Sequence, residues 1–318
     1  MACSQAEVEY CALTVKNGLR LDGRAWNDLR PLELELGVIA QAAGSARVHL
    51  GDTDVVLAVK AEVAPPRPSH PDCGQLSVTV ECSPCASPEY EGRGGEAWGL
   101  ALAAALQASL APPGPSGKAG GLDLIPLNII RGKAAWHLYL DALVLNDGGG
   151  VLAALSAAAL AALTAARLPR VTVTRTPGPT SGSSAAGQEA GLATDMDLQD
   201  DAQEGEGGGD EPEIELEEDE SGEGGVPLQG LGTVPLLVSV ALVRGQAVVD
   251  PGLLEEKAAA SVLHVAVNSA GELCGVNLEG NQPVDAASLA AALETGMVAA
   301  PAVIRQLNSF LTSVAGKS

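Results

Sequence analysis

The chain has 318 residues, 46% hydrophobic and 18% charged, enough to bury a sizeable core as one large domain or two smaller lobes. Only 2% are aromatic, so that core has to be built from Ala, Leu and Val, and few rings remain for stacking on nucleic-acid bases. A net charge of −22 argues against a free-standing nucleic-acid binder, which needs a basic excess to neutralise phosphates.

The charge is concentrated. Fifteen acidic residues and no Lys or Arg lie between Asp195 and Glu223, which leaves 25 acidic against 18 basic residues elsewhere. The body is therefore only mildly acidic. Six scattered cysteines (Cys3, Cys11, Cys73, Cys82, Cys85 and Cys274), with an opening MACSQAEVEY that lacks a signal pattern, lead us to expect a reducing compartment and free thiols.

In chain order, apolar or alternating runs at 32–39, 46–50 and 55–63 predict strands separated by turns at Gly44 and Gly51-Asp52. A Pro-rich loop precedes a strand at 76–82, and a Gly-rich turn opens a helix over about 97–110. The order then recurs: strands near 122–130 and 136–145, the turn NDGGG, a helix over 151–167 and a strand at 170–175. The run 151–166 is too short for a membrane span and carries Ser156 and Thr164, so it reads as a buried helix.

Residues 176–232 are rich in Gly, Ser, Thr, Glu and Asp, with too little apolar surface to offset ordering, and are read as a disordered acidic insertion. Beyond them, strands are predicted at 234–243 and 246–250, then a hairpin-like pair at 262–268 and 272–277. A long helical pattern over 285–314 follows, N-capped by Asp285 and kinked at Pro301. The class is α+β, with sheets packed against helices.

Common catalytic signatures are missing. Gly117-Lys118-Ala119 lacks the hydroxyl and leading glycine of a phosphate loop, and neither a dinucleotide fingerprint nor a G-x-S-x-G elbow occurs. Cys82-x-x-Cys85 has no second pair at zinc spacing. His49, His70, His137 and His264 sit in unrelated segments, the last two inside strand patterns where a structural role is the simpler reading. Two arginine turns stand out: Asp22-Gly23-Arg24, and Glu91-Gly92-Arg93-Gly94-Gly95 ahead of a helix N-terminus, where backbone N–H groups can face a phosphate. For each, a plain turn with a locally paired arginine is the competing reading.

The ordered set of Asp22-Gly23-Arg24, Gly44 to Val48, Leu50-Gly51-Asp52-Thr53, Val59 to Glu62, Pro88 to Gly95, Trp136 to Asp141, Gly148-Gly149, Val249-Asp250-Pro251 and Leu254-Glu255-Glu256 resembles RNase PH-like subunits of the eukaryotic RNA exosome ring. The similarity spans most of residues 20–311 apart from the insertion. It implies an RNase PH fold of two similar βαβ-type lobes, at 20–175 and 233–315, flanking the insertion at 176–232. It also implies a hetero-hexameric ring with other RNase PH-like subunits, cap subunits with OB- and KH-type domains, separately supplied ribonucleases and single-stranded RNA in the channel. No cofactor, no metal and no membrane are implied, and the expected location is nucleus, nucleolus and cytoplasm.

Active phosphorolytic relatives carry a Gly-Thr-Arg or Gly-Ser-Arg phosphate cradle. The matching stretch here is Gly149-Gly150-Val151, without hydroxyl or guanidinium. Of the acidic pair such relatives place in the second lobe, Glu256 matches one and the other falls near Val262; RNA-holding arginines of the archaeal ring are replaced by alanines around Ala101 to Ala105. The resemblance therefore implies a non-catalytic structural subunit, with no catalytic residues and with Arg93 and Arg47 as candidate RNA contacts. The alternative is a phosphorolytic 3′→5′ exoribonuclease, or a contributor to a composite phosphorolytic site.

Overall fold

A computed structural model describes residues 4–111, 121–174, 213–217, 225–280 and 282–315. The chain opens with α1 (Gln5–Lys16), started by a capping box in which Ser4 and Glu7 exchange hydrogen bonds. The first lobe follows: β1 (Leu32–Leu36), β2 (Gly44–Leu50), β3 (Thr53–Ala64), β4 (Gln75–Cys82), α2 (Arg93–Leu110), β5 (Asn128–Ile130), β6 (Ala134–Asn146) and α3 (Val151–Ala165). Its sheet runs β1-β2-β3-β6-β4, with the short β5 on β6. The β4–β6 pair is parallel, so α2 makes a crossover between them. A Cβ on Gly99 would meet the Val80 carbonyl oxygen at 2.3 Å, which is how closely α2 lies on β4.

β7 (Arg167–Leu168) pairs with β10 (Val226–Pro227) in the main compact unit, whereas β8 (Arg170–Thr174) pairs with β9 (Glu213–Glu217) in a unit of its own. Most of the expected insertion, 176–232, lies outside the described residues. Within it, Glu213–Glu217 is a strand, Val226–Pro227 pairs with β7 and Leu228 is buried, so part of the span 176–232 belongs to strands and to the core. β8 likewise falls outside the compact part of the first lobe, which ends at Leu168.

The second lobe contains β11 (Leu236–Val243), β12 (Gln246–Val249), α4 (Leu253–Ala258), β13 (Ser261–Val267), β14 (Leu273–Gly280) and α5 (Ala286–Ala315). Its sheet, β12-β11-β13-β14, is antiparallel throughout, so among the described residues the parallel crossover belongs to the first lobe. Every residue of β11 is buried, which explains its unbroken apolar run: Val238, Val240 and Leu242 face α5, while Ala241 and Val243 meet Cys11, Ala12 and Val15 of α1.

α3 lies between the two sheets. A Cβ on Gly44 of β2 would meet the Ala162 carbonyl oxygen at 2.4 Å, and on the other side the Leu237 N–H donates to Ser156 Oγ at 2.9 Å. This double burial accounts for a helix of small apolar residues with no polar face. α5 is capped by Asp285, whose carboxylate accepts from the Ser288 N–H at 3.0 Å, and it continues through Pro301. By length and composition alone its Ala286–Leu311 stretch could cross a membrane; here Ala292, Ala299 and Ala300 pack on the second sheet.

Candidate functional site

The Gly-rich turn between β6 and α3 is where the sequence places a degenerate cradle. Gly149 (φ +89°) and Gly150 (φ +66°) both adopt left-handed backbone, which only glycine takes without strain. Each N–H of the turn is occupied from within the chain: Gly148 donates to Thr53 Oγ1 (3.2 Å), Gly149 to the Asp147 carboxylate (3.0 Å) and Gly150 to the Glu256 carboxylate (2.8 Å). The turn also touches the second lobe directly. The Leu253 N–H donates to the Gly148 carbonyl at 2.9 Å, and a Cβ on Gly149 would stand 2.4 Å from that same nitrogen.

Behind the turn lies an arginine–carboxylate cluster. The Arg30 guanidinium donates to both oxygens of Asp250 (2.6–3.1 Å) and to the carbonyls of Gly148 and Gly149 (3.1 and 3.0 Å). Its backbone N–H also donates to Asp250, at 2.6 Å. Arg20 forms a buried fork on Glu255 (2.8 and 2.7 Å) and reaches the carbonyls of Val249 and Asp250. Arg24 bridges Asp22 and Asp250. Bidentate, desolvated pairs of this kind tie the segment 20–30 to the start of α4 with fixed geometry.

In front of the turn, an open cleft of about 500 Å³ is lined by Tyr90, Asp147, Glu256, Val262, His264 and Glu279, among others. The Tyr90 hydroxyl donates to Asp147, and its pKa is raised by burial and by that bond. Burial pushes the Glu256 carboxyl up to about 8, only partly countered by the Gly150 N–H. His264 is buried, with Nδ1 2.9 Å from Ser239 Oγ. The walls are thus acidic: Lys257 is the cation among the lining residues, and it pairs with Glu89 at 2.5 Å.

Glu256 and Val262, expected from the resemblance at the acidic positions, line this one cleft, with Gly150 bonded to the first. Arg93 begins α2 behind Gly92 (φ +68°) and is exposed. Arg47 sits on β2, three strands from β4, and is engaged by Asp54 through two hydrogen bonds (3.0 and 2.7 Å). The residues that sequence reasoning missed are Arg20, Arg30 and the pairing role of Asp250 and Glu255. Arg30 and Asp250 are 220 positions apart, and no local pattern joins them.

The profiles of the 3′ exoribonuclease family match in both parts, domain 1 over residues 28–169 and domain 2 over residues 233–299. Among curated proteins, the exosome complex component Rrp42 of Methanosarcina acetivorans is 27% identical over 91% of this chain and 88% of its own length. That of Sulfurisphaera tokodaii is 40% identical over 46% of this chain and 50% of its own. Among solved structures, a chain of the Archaeoglobus fulgidus exosome with RNA bound to the active site has a TM-score of 0.70 at 23% identity, covering 95% of this chain and 97% of that one. Rice Rrp46 gives 0.56 at 17% identity, covering 92% of this chain and 100% of that one. With both domain profiles matched in order and a two-lobed fold shared with exosome cores, the chain belongs to the RNase PH-type 3′ exoribonuclease family.

Proposed function

We propose that this chain is a non-catalytic structural subunit of an exosome ring, forming part of the wall around the path of RNA in 3′→5′ processing and decay, ribosomal RNA maturation included. The observation that carries the reading is the occupied turn: the three N–H groups of Gly148, Gly149 and Gly150 are committed to Thr53, Asp147 and Glu256. Phosphorolysis needs preorganised donors and a cation aimed at a phosphate whose charge grows in the transition state. Here two of the three donors point at carboxylates, and the nearby Arg30 is saturated by Asp250 and two carbonyls.

The relatives named as exosome components support ring membership, and with it other RNase PH-like subunits and RNA as partners. Cap subunits of OB and KH type, associated ribonucleases and a location in nucleus, nucleolus and cytoplasm complete the proposal. Arg93, exposed at the start of α2, is the proposed RNA contact; Arg47 can contribute only by leaving Asp54.

The phosphorolytic alternative draws on Glu256, whose raised pKa suits a general acid near neutrality. Affinity capture of the tagged chain with mass spectrometry of its partners, followed by a phosphate-dependent nuclease assay, separates the two. RNase PH-like partners and no nucleoside diphosphate release by this chain are expected; release that depends on Glu256 overturns the structural reading.

A further inference from the structure

The chain has few cations, and many of them are held by its own carboxylates. Arg20, Arg24 and Arg30 lie in the arginine–carboxylate cluster, Arg47 is held by Asp54, Lys60 by Glu62 and Lys257 by Glu89. Three of the remainder, Arg67, Arg131 and Lys133, are exposed, make no ion pair among the described residues, and stand at one end of the first sheet.

Strand pairing explains why they meet. Ala64, at the end of β3, is opposite Ala135, near the start of β6. Arg67 therefore leaves β3 where the turn Arg131-Gly132-Lys133 enters β6. The Gly132 N–H donates to the Pro71 carbonyl at 2.8 Å, which ties this turn to the loop carrying Arg67. Pro65, Pro66, Pro68 and Pro71 restrict the backbone of that loop. The carboxylates at the same end are Asp72 and Glu62, and Glu62 is already engaged by Lys60.

Two rings lie beside the cations. Leu138 and Leu140 of β6 are buried on the helix side of the sheet, so His137 and Tyr139 project from the opposite face and are only partly buried. Their centroids are 4.1 Å apart with the planes at 25°, and His137 Nε2 lies 2.8 Å from Ser77 Oγ of β4, which fixes the ring. Burial, and then the nearby Arg67, hold the His137 pKa below its ordinary 6.5, so at neutral pH an uncharged imidazole stacks on the phenol.

We infer that this end of the first sheet is a contact for single-stranded RNA, in which Arg67, Arg131 and Lys133 take backbone phosphates and a base extends the His137–Tyr139 stack. Cations alone would suit any anion, an acidic peptide included. Cations beside a partly open ring pair suit a polymer that carries a phosphate and a flat base in every unit. The site is weak by itself, because three phosphate contacts act within a chain of net charge −22. It is also separate from Arg93, which follows the far end of β4. The inference does not rest on ring membership, since it is read on the isolated chain.

The test is fluorescence anisotropy of a labelled single-stranded RNA with the purified full-length chain, over a salt series that begins low. Saturable, salt-sensitive binding is expected. Replacing Arg67, Arg131 and Lys133 together by Gln should weaken it at least tenfold. The slope of log affinity against log salt should fall by about 2, as three lost phosphate contacts on a single strand require. Tyr139→Leu should weaken binding about tenfold with the slope unchanged, because it removes a stack and no charge. Both variants are checked by thermal melting; the three cations are exposed, so the triple variant should melt with the parent.

Tyr10→Leu, on a tyrosine that is 64% exposed on α1, is the control and should change nothing. A slope unaltered by the triple substitution, a Tyr139→Leu effect no larger than that of Tyr10→Leu, or the lack of any saturable phase would overturn the inference. So would a polyglutamate peptide that competes as well as unlabelled RNA of equal charge, since the patch would then be reading charge alone.

Discussion

The Gly150 N–H and the Glu256 carboxylate meet at 2.8 Å across 106 positions of sequence, joining the N-terminus of α3 to α4. A helix N-terminus ordinarily welcomes an anion. Here the first N–H of the helix start is taken by a side chain of the protein itself, that of Glu256. The contact thus ties the two lobes together at the glycine turn.

Glu256 should leave a signature in the pH dependence of stability. Its folded pKa is raised to about 8 from an ordinary 4.5. Below 4.5 it is protonated in both states; as pH rises to 8 the unfolded chain releases the proton first, so stability is lost across that window. Glu256→Gln should remove the loss. Urea denaturation should show the variant gaining on the parent between pH 5 and pH 8 by on the order of 2 kcal/mol. A difference that stays constant with pH would refute the assignment.

Arg30→Ala should be destabilising, by about 3 kcal/mol, because it strips the buried Asp250 carboxylate of its bidentate partner and leaves Arg24 as its remaining cation. Replacing both by apolar residues, Arg30→Met with Asp250→Leu, should cost much less than the sum of the single changes. Chemical denaturation of the four-member cycle checks this; additive costs would mean that the pair is not coupled.

Gly149→Ala and Gly18→Ala form a matched comparison. Both glycines have nearly the same φ, +89° and +88°, so both pay similar backbone strain, on the order of 1 kcal/mol. Around Gly18 the space is open, whereas a Cβ at Gly149 would stand 2.4 Å from the backbone nitrogen of Leu253. Gly149→Ala should therefore be worse by at least about 2 kcal/mol, since one lobe must shift against the other. Equal melting temperatures would show that the lobes do not meet at this turn.

Replacing residues 175–224 with a short Gly/Ser linker should leave cooperative unfolding near the parent temperature, because the buried apolar residues of the main unit all lie outside that span. Extending the replacement to residue 232 should cost more, as it removes the β10 pairing, buried Leu228 and the close approach of Gly230 to Asp123. A large loss from the shorter replacement would show that the β8–β9 pair supports the main unit.

Much of the fold was legible because its periodicities are local. Alternation marked β2, β3 and β6, and the unbroken apolar runs of β11 and α3 matched elements buried on two sides. α1 escaped notice because its buried face is only Cys11, Ala12 and Val15, a weak stripe in a polar segment. α4, six residues long, lies below the length at which helical periodicity can be read. At the site, the glycine turn and Glu256 could be found through motif order, but their contact could not. The arginine cluster was invisible for the same reason: Arg20, Arg30, Asp250 and Glu255 become one network only when the lobes close.

The most direct test of the central claim is phosphate-dependent release of nucleoside diphosphates. The purified chain, alone and assembled with its ring partners, is incubated with single-stranded RNA, inorganic phosphate and Mg²⁺, in parallel with Glu256→Gln in the same assembly. The occupied glycine turn predicts no release by the isolated chain, and release from the assembly unchanged by Glu256→Gln. Release by the isolated chain, or release from the assembly abolished by Glu256→Gln with the ring intact, would contradict it.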